Sequence, residues 1–223
     1  MILSAHQPAY LPWVGYFDKI LHSDVFIFLD TVQFEKNSFI NRNTIKTNQG
    51  PAWLTIPVKA KGHIKNSLLE IKIDEQKNWR KKHIKSIEMN YRKAPKFKEC
   101  FTKIEKIINC SEVNLSEYCF QHLKFWIDEL EIKTKIIRSS ELPIKSKKSN
   151  LVLDLCNHFG ADNYLSGSLG KNYLVEQDFV KNGVTIQYQN FIQKTYPQLW
   201  GEFIPNLSTL DYWMNLQDKK FIF

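Results

Sequence analysis

Two short apolar runs open the chain, and each closes on a polar residue: residues 1–6 (MILSAH) and 25–30 (VFIFLD). Apolar runs of this length without alternation mark strands buried on both faces of a parallel sheet. Between them, residues 15–23 set Tyr16, Phe17, Ile20 and Leu21 on one helical face, while Pro8 and Pro12 keep residues 7–13 out of any helix interior. The pattern predicts strand, Pro-rich turn, helix, strand: a compact βαβ unit. Residues 33–50 are rich in Asn and Gln, close on Gly50-Pro51, and read as a long loop. Strands are expected over 53–58 and 68–73, the second half exposed because it alternates. Helices are expected over 75–92, 97–109 and 115–130, each with an apolar stripe. A strand over 132–138 follows, then a helix over 151–159 capped by Ser149 or Asn150 and ended by Gly160. Residues 162–174 read as a short strand, a Gly- and Ser-rich turn and a helix start; 184–191 read as a strand; 192–223 form an aromatic, proline-punctuated tail.

The sum is an α/β chain with a mostly parallel sheet flanked by helices. Its basic helical stretch over 75–130 reads as an insertion or subdomain, and residues 1–223 as one composite domain. With 223 residues and 43% hydrophobic content the chain can bury a core, which excludes wholesale disorder. No apolar run approaches the ~18 residues of a membrane span, and no signal-peptide pattern opens the chain. The four cysteines lack CxxC spacing, so neither a disulfide scaffold nor a zinc site is expected, and a cytoplasmic protein with free thiols is the default. The net charge is +8. Its excess sits in residues 75–148, with eighteen basic against ten acidic residues. Such a segment attracts anions. Lysine dominates and no nucleic-acid motif occurs, so nucleic acid is not an expected partner.

Four clusters carry candidate chemistry. His6 and Gln7 follow the first strand, where ligands bind in open α/β sheets. A histidine there can act as a base or, when protonated, hold a phosphate. Tyr10 lies in the same turn, with Asp18 and Lys19 one turn into the following helix. Asp30 ends the second strand, where it can orient an amine or a sugar hydroxyl, or hold Mg²⁺. Gln33, Asn41, Arg42, Asn43 and Lys46 follow it; side-chain amides suit a polyhydroxylated ligand, and Arg42 and Lys46 would share the face of a helical turn. The Ser166-Gly167-Ser168 turn, with Lys171, Asn172 and Tyr173, lets backbone N–H groups approach a phosphate or carboxylate. In the tail, Tyr196, Gln198, Glu202 and Asn206 offer stacking and hydrogen bonds. Each cluster also has a structural use: a histidine bonding loop backbone, an aspartate capping a turn, a tail sealing the core.

Taken together, AHQPAYLPWVGYFDKI, DVFIFLDTVQFEKNSFINRNTIKT, WLTIPV, YLSGSLGKNYL and YPQLWGEFIPNLSTLD, in that order, resemble the WbqC-like family. The resemblance implies a protein of bacterial O-antigen (lipopolysaccharide) or other surface-polysaccharide loci. It further implies a cytoplasmic transferase that moves an acyl or aminoacyl group, glycyl included, onto the amine of a nucleotide-linked amino sugar. Acyl-CoA, or ATP with Mg²⁺, would serve as co-substrate. On this reading His6 deprotonates the amine, Asp30 orients it, Arg42 and Lys46 hold the diphosphate, and the 166–171 turn holds a carboxylate or phosphate. The opening layout is also similar to nucleotidylyltransferases of the HUP type, although Trp13, Gly15 and Tyr16 stand where their histidine motif would fall. A third expectation is a non-catalytic protein whose basic helices bind a polyanion or a partner.

Overall fold

A computed structural model describes residues 1–59 and 66–216. In chain order the elements are β1 (Ile2–His6), α1 (Val14–Leu21), β2 (Val25–Phe28), β3 (Arg42–Thr47), β4 (Gly50–Thr55), α2 (Trp79–Tyr91), α3 (Phe97–Ile108), α4 (Leu115–Glu129), β5 (Lys135–Arg138), α5 (Lys148–Phe159), β6 (Asn163–Ser166), α6 (Glu176–Lys181), β7 (Thr185–Tyr188) and α7 (Thr209–Asn215). Short 3₁₀ turns cover Leu68–Glu70, Glu75–Lys77, Ser139–Glu141 and Ser168–Asn172. The chain divides into two compact units. One is built from residues 1–8, 16–32 and 132–192, the other from 9–15, 33–131 and 193–223.

The first unit is the expected parallel sheet. Five strands run in the order β5-β2-β1-β6-β7, all parallel. Side chains of β1 alternate between faces. Leu3 and Ala5 join Leu151, Leu155 and Cys156 of α5 and Phe179 of α6 in one buried cluster. Ser4 and His6 point the other way, toward α1 and the turn after it: Ser23 donates to the Ser4 hydroxyl (2.6 Å), and the His6 ring meets Tyr16 edge-on at 4.8 Å. Tyr16 in turn packs on Phe26 of β2. Burial on both faces explains why these strands lack alternation. Gly160 ends α5 in the left-handed region (φ 62°), as its position predicted. The helix itself begins at Lys148, so Ser149 and Asn150 lie inside it. The Ser149 hydroxyl instead accepts the Val175 N–H (2.9 Å).

The second unit departs more from the sequence reading. Residues 42–55 form an antiparallel hairpin, β3 with β4, in place of a long loop followed by a strand. Its buried positions are Asn43, Ile45 and Lys46, so most of its inward side chains are polar and the strand escapes a hydrophobic reading. The strand expected over 68–73 is a 3₁₀ turn followed by isolated bridges at Lys72 and Ile73. Leu68 and Ile71 are both fully buried; a spacing of three suits such a turn, and Ser67 caps it. Helices α2, α3 and α4 arise close to the expected bounds. They share this unit with the hairpin and α7, and do not form a body of their own.

A buried polar network ties the tail down. Asp211 of α7 is fully enclosed, and its two carboxylate oxygens accept from the Tyr91 and Tyr196 hydroxyls at 2.8 Å each. The Tyr91 oxygen accepts the Lys46 N–H (2.9 Å). Burial pushes the Asp211 carboxyl up, opposed by the two tyrosine bonds and by the Lys46 charge. Tyr91→Phe strands a buried N–H and a carboxylate lone pair. It should destabilise the protein by about 1–3 kcal/mol in urea unfolding, with the circular dichroism of the folded state unchanged.

Candidate functional site

The strand order fixes where a crevice forms. From β1 the chain moves to β2 and β5 on one side, while β6 and β7 lie on the other, so the connections leaving β1 and β6 diverge at their carboxyl ends. In open α/β sheets that divergence is where ligands bind. His6 and Gln7 stand at the end of β1; Ser166 and Gly167 stand at the end of β6.

His6 is partly exposed, and its Nδ1 lies 2.8 Å from the Gln7 carbonyl. A carbonyl only accepts, so Nδ1 carries the proton and donates, and Nε2 keeps the lone pair. Burial pushes the imidazole down to about 3, with the Lys19 charge as the second cause and the Gln7 bond acting against both. His6 is therefore neutral at pH 7: its Nε2 can accept a hydrogen bond from a ligand, and it is not the imidazolium that would hold a phosphate.

Lys19 of α1 is only 2% exposed. Its Nζ donates to the Ala5 carbonyl of β1 at 3.0 Å, and a methyl group on Gly167 would stand 3.9 Å from it. The ammonium thus lies between the ends of β1 and β6. Burial lowers it to about 7. The neighbouring Asp18 is engaged elsewhere, accepting from Gln189 Nε2 (2.6 Å) and paired with His22. The turn after β6 is tightly packed. The Ser166 hydroxyl donates to the Gly167 carbonyl (3.0 Å), and a Cβ on Gly170 would fall 1.9 Å from that hydroxyl oxygen. Gly170 is needed for close approach, since its φ is ordinary. Ser168, Lys171 and Asn172 are exposed on this turn. The Lys171 ammonium lies over the Tyr188 ring at 5.1 Å. Tyr173 is also exposed.

Asp30 departs from its expected role. The carboxylate is fully buried and accepts four hydrogen bonds: from Ser139 Oγ (2.9 Å), Ser140 N (2.8 Å), Ser140 Oγ (2.7 Å) and Arg138 Nε (2.8 Å). Four donors fill its lone-pair directions, which leaves none for an amine or a metal. They all come from the end of β5, on the side of β2 away from β6. Asp30 fastens β5 to β2.

The remaining predicted residues belong to the second unit. Arg42 and Lys46 sit on a strand, roughly 13 Å apart along it, and not on a helical turn. Arg42 stacks on Trp53 at 4.3 Å and donates to the Asn37 carbonyl. Lys46 is buried, and its ammonium donates to Gln198 Oε1 (3.0 Å) and to the Gly201 and Glu202 carbonyls, which uses its three protons. Gln198 also bonds the Tyr196 hydroxyl and the Ile204 backbone. Lys46, Tyr196 and Gln198 thus hold the tail in place. Asn41 donates to the Ile56 carbonyl and Asn43 to the Leu11 carbonyl, so these amides bond backbone. The Tyr10 hydroxyl bonds His83 Nδ1 (2.9 Å) inside an aromatic cluster with Trp79, Tyr118 and His122. Gln33 bridges to Ser67. Glu202 and Asn206 have exposed side chains, and the Asn206 N–H donates to Gln193 (2.7 Å). A cleft of about 400 Å³ on this unit is lined by Trp53, Trp79, Lys82 and His83 among others.

Among the described residues no cluster of His, Cys, Asp and Glu has the form of a metal site, and no helix is long and apolar enough to cross a membrane. The lysine at the crevice is what a motif search passes over: its signal is only a position one turn into the helix after β1.

Two outcomes follow from this packing. Gly170→Ala should lower stability by about 1–3 kcal/mol, and Ser166→Ala should recover part of that loss in the double variant. Between pH 6.5 and about 3 the unfolded chain binds a proton at His6 that the folded chain refuses, so stability falls as pH drops through this window. His6→Asn should remove up to about 1.4 kcal/mol per pH unit of that fall, read by urea unfolding at pH 4 and 6.5.

Comparison with known proteins agrees with this picture at the level of family. The chain is 34% identical over 212 residues to the uncharacterized protein Rv1507c of Mycobacterium tuberculosis, covering 94% of this chain and 91% of that protein. No solved structure matches. The model of the WbqC-like protein family matches residues 7–222, and the chain belongs to that family.

Proposed function

We propose that this chain takes part in building a bacterial surface polysaccharide, transferring an acyl or aminoacyl group, glycyl among them, to the amine of a nucleotide-linked amino sugar. The observation that carries the reading is the neutral His6 imidazole at the end of the central strand. Among the described residues its Nε2 lone pair accepts no hydrogen bond. With a thioester donor the amine nitrogen attacks the acyl carbon, and Nε2 takes the proton the amine gives up. The C–S bond breaks, and the same proton passes to the departing sulfur. Amine and thioester become amide and thiol, and His6 returns to its starting state. Gln7 and Gly167 border the crevice, and the absence of a side chain at 167 leaves room for a sugar. The net charge of +8 raises the local concentration of a diphosphate ligand. On this reading the protein works in the cytoplasm.

One feature favours a second reading. The order β5-β2-β1-β6-β7 is that of doubly wound sheets with a mononucleotide at the switch point, so an ATP-using nucleotidylyltransferase or adenylate-forming enzyme is the alternative.

The test is to incubate the protein with dTDP- or UDP-amino sugars and either acyl-CoA or glycine with ATP, and to follow product mass. The expected result is an amide product whose kcat falls about 10²–10⁴-fold in His6→Asn. No product with any pair, together with no thermal stabilisation by the nucleotide sugars, overturns the proposal. Stabilisation by ATP with pyrophosphate release moves the assignment to the second reading.

A further inference from the structure

We propose that Lys19 is an anion-binding residue of the β1–β6 crevice, and that the group it takes is the phosphate or diphosphate of a phosphorylated ligand. The inference rests on that crevice being the ligand site, but not on the acyl transfer assigned to it.

Removing an ammonium from water is expensive, and folded chains accept the cost where a partner compensates it. Lys19 has no carboxylate partner among the described residues. It has three protons to donate, and one is met, by the Ala5 carbonyl. It nonetheless lies 98% buried at the one place where the sheet topology opens. A lysine serving only to pack would be replaced at gain by an apolar side chain of its length. The surroundings are arranged for an incoming anion. His6, the ionisable group facing it from β1, is neutral and repels nothing. On the β6 side Gly167 contributes no side chain, though its φ of −70° and ψ of 164° would suit any residue. Asp18 beside it in sequence is held by Gln189, the residue after β7, and by His22. A compact point charge with free donors suits phosphate, and a tetrahedral group fits where a side chain is missing.

Charge coupling joins this site to His6. The Lys19 charge is one of the causes that depress the imidazole. An anion against the ammonium offsets that charge, so a bound phosphate raises the basicity of the neighbouring lone pair. Phosphate binding also raises Lys19 itself from about 7, and binding should therefore take up protons above neutral pH.

Thermal unfolding in inorganic pyrophosphate, against sodium chloride of equal ionic strength, reads the proposal directly. At pH 6 pyrophosphate should raise the wild-type melting temperature by about 2–4 °C, and the shift should shrink by pH 9 as the free ammonium loses its proton. Lys19→Met should melt at or above the wild-type temperature without ligand and show no pyrophosphate shift. Gly167→Asp sets a carboxylate beside the ammonium; it too should melt higher and lose the shift. It decides the matter alone if Lys19→Met fails to fold. A wild type that shows no shift, or a Lys19→Met or Gly167→Asp protein that keeps it, overturns the proposal. A shift lost in both variants from a protein that forms no amide supports the anion site and counts only against the acyl transfer. Amide formation by Lys19→Met with an unchanged KM for the nucleotide sugar overturns the anion site and leaves the acyl transfer standing.

Discussion

Parallel pairing of β1 with two partners that the chain supplies from opposite directions is the constraint on which the first unit depends. Leu3 lies between Val25 of β2 and Tyr164 of β6, and is fully buried there. Because the strands are parallel, every connection must leave from the same end and return over a face. Because β2 and β6 flank β1, those connections part above it. The gap is therefore a result of connectivity. His6, Gln7, Lys19 and Gly167 are the residues nearest the parting.

What was legible in the sequence follows from how strongly each segment depends on its own side chains. The runs 1–6 and 25–30 read correctly as buried parallel strands because burial on both faces leaves an unbroken apolar signature. The amphipathic helices α2, α3 and α4 read correctly because each sets its buried residues in one stripe at helical spacing. The hairpin β3–β4 did not, because tertiary contacts decide its inward positions: Asn43 and Lys46 are buried only since Leu11, Gln198 and the 201–202 carbonyls accept their protons. A polar residue with a distant partner looks like a loop residue until that partner is in place.

The same distinction runs through the site. His6 and Gly167 draw notice in the sequence because strand ends and glycine turns have positional meaning, and the fold places them at the ends of β1 and β6. Asp30 was given a chemical role on equal grounds, yet its four hydrogen-bond donors all come from residues 138–140, more than a hundred positions away. Arg42, Lys46, Tyr196 and Gln198 are likewise parts of a polar interior. Sequence shows which residues can do chemistry; the supply of partners elsewhere in the fold decides which of them are free to do it. Lys19 is the inverse case, an ordinary helix lysine by its sequence and a costly one by its location.

Interleaving of the two units along the chain has a consequence for how the protein is made. β1 emerges first, but its partner β6 begins at Asn163, and the whole of 33–131 is synthesised in between for the other unit. The contact order of the sheet is accordingly high, and its closure waits on a long search after most of the chain has left the ribosome. Until then one flank of a strongly apolar strand stays open to other chains. The helices and hairpin of 33–131 rely on much shorter loops and can consolidate earlier, so chaperone dependence should trace to the sheet and to the late arrival of its fourth and fifth strands.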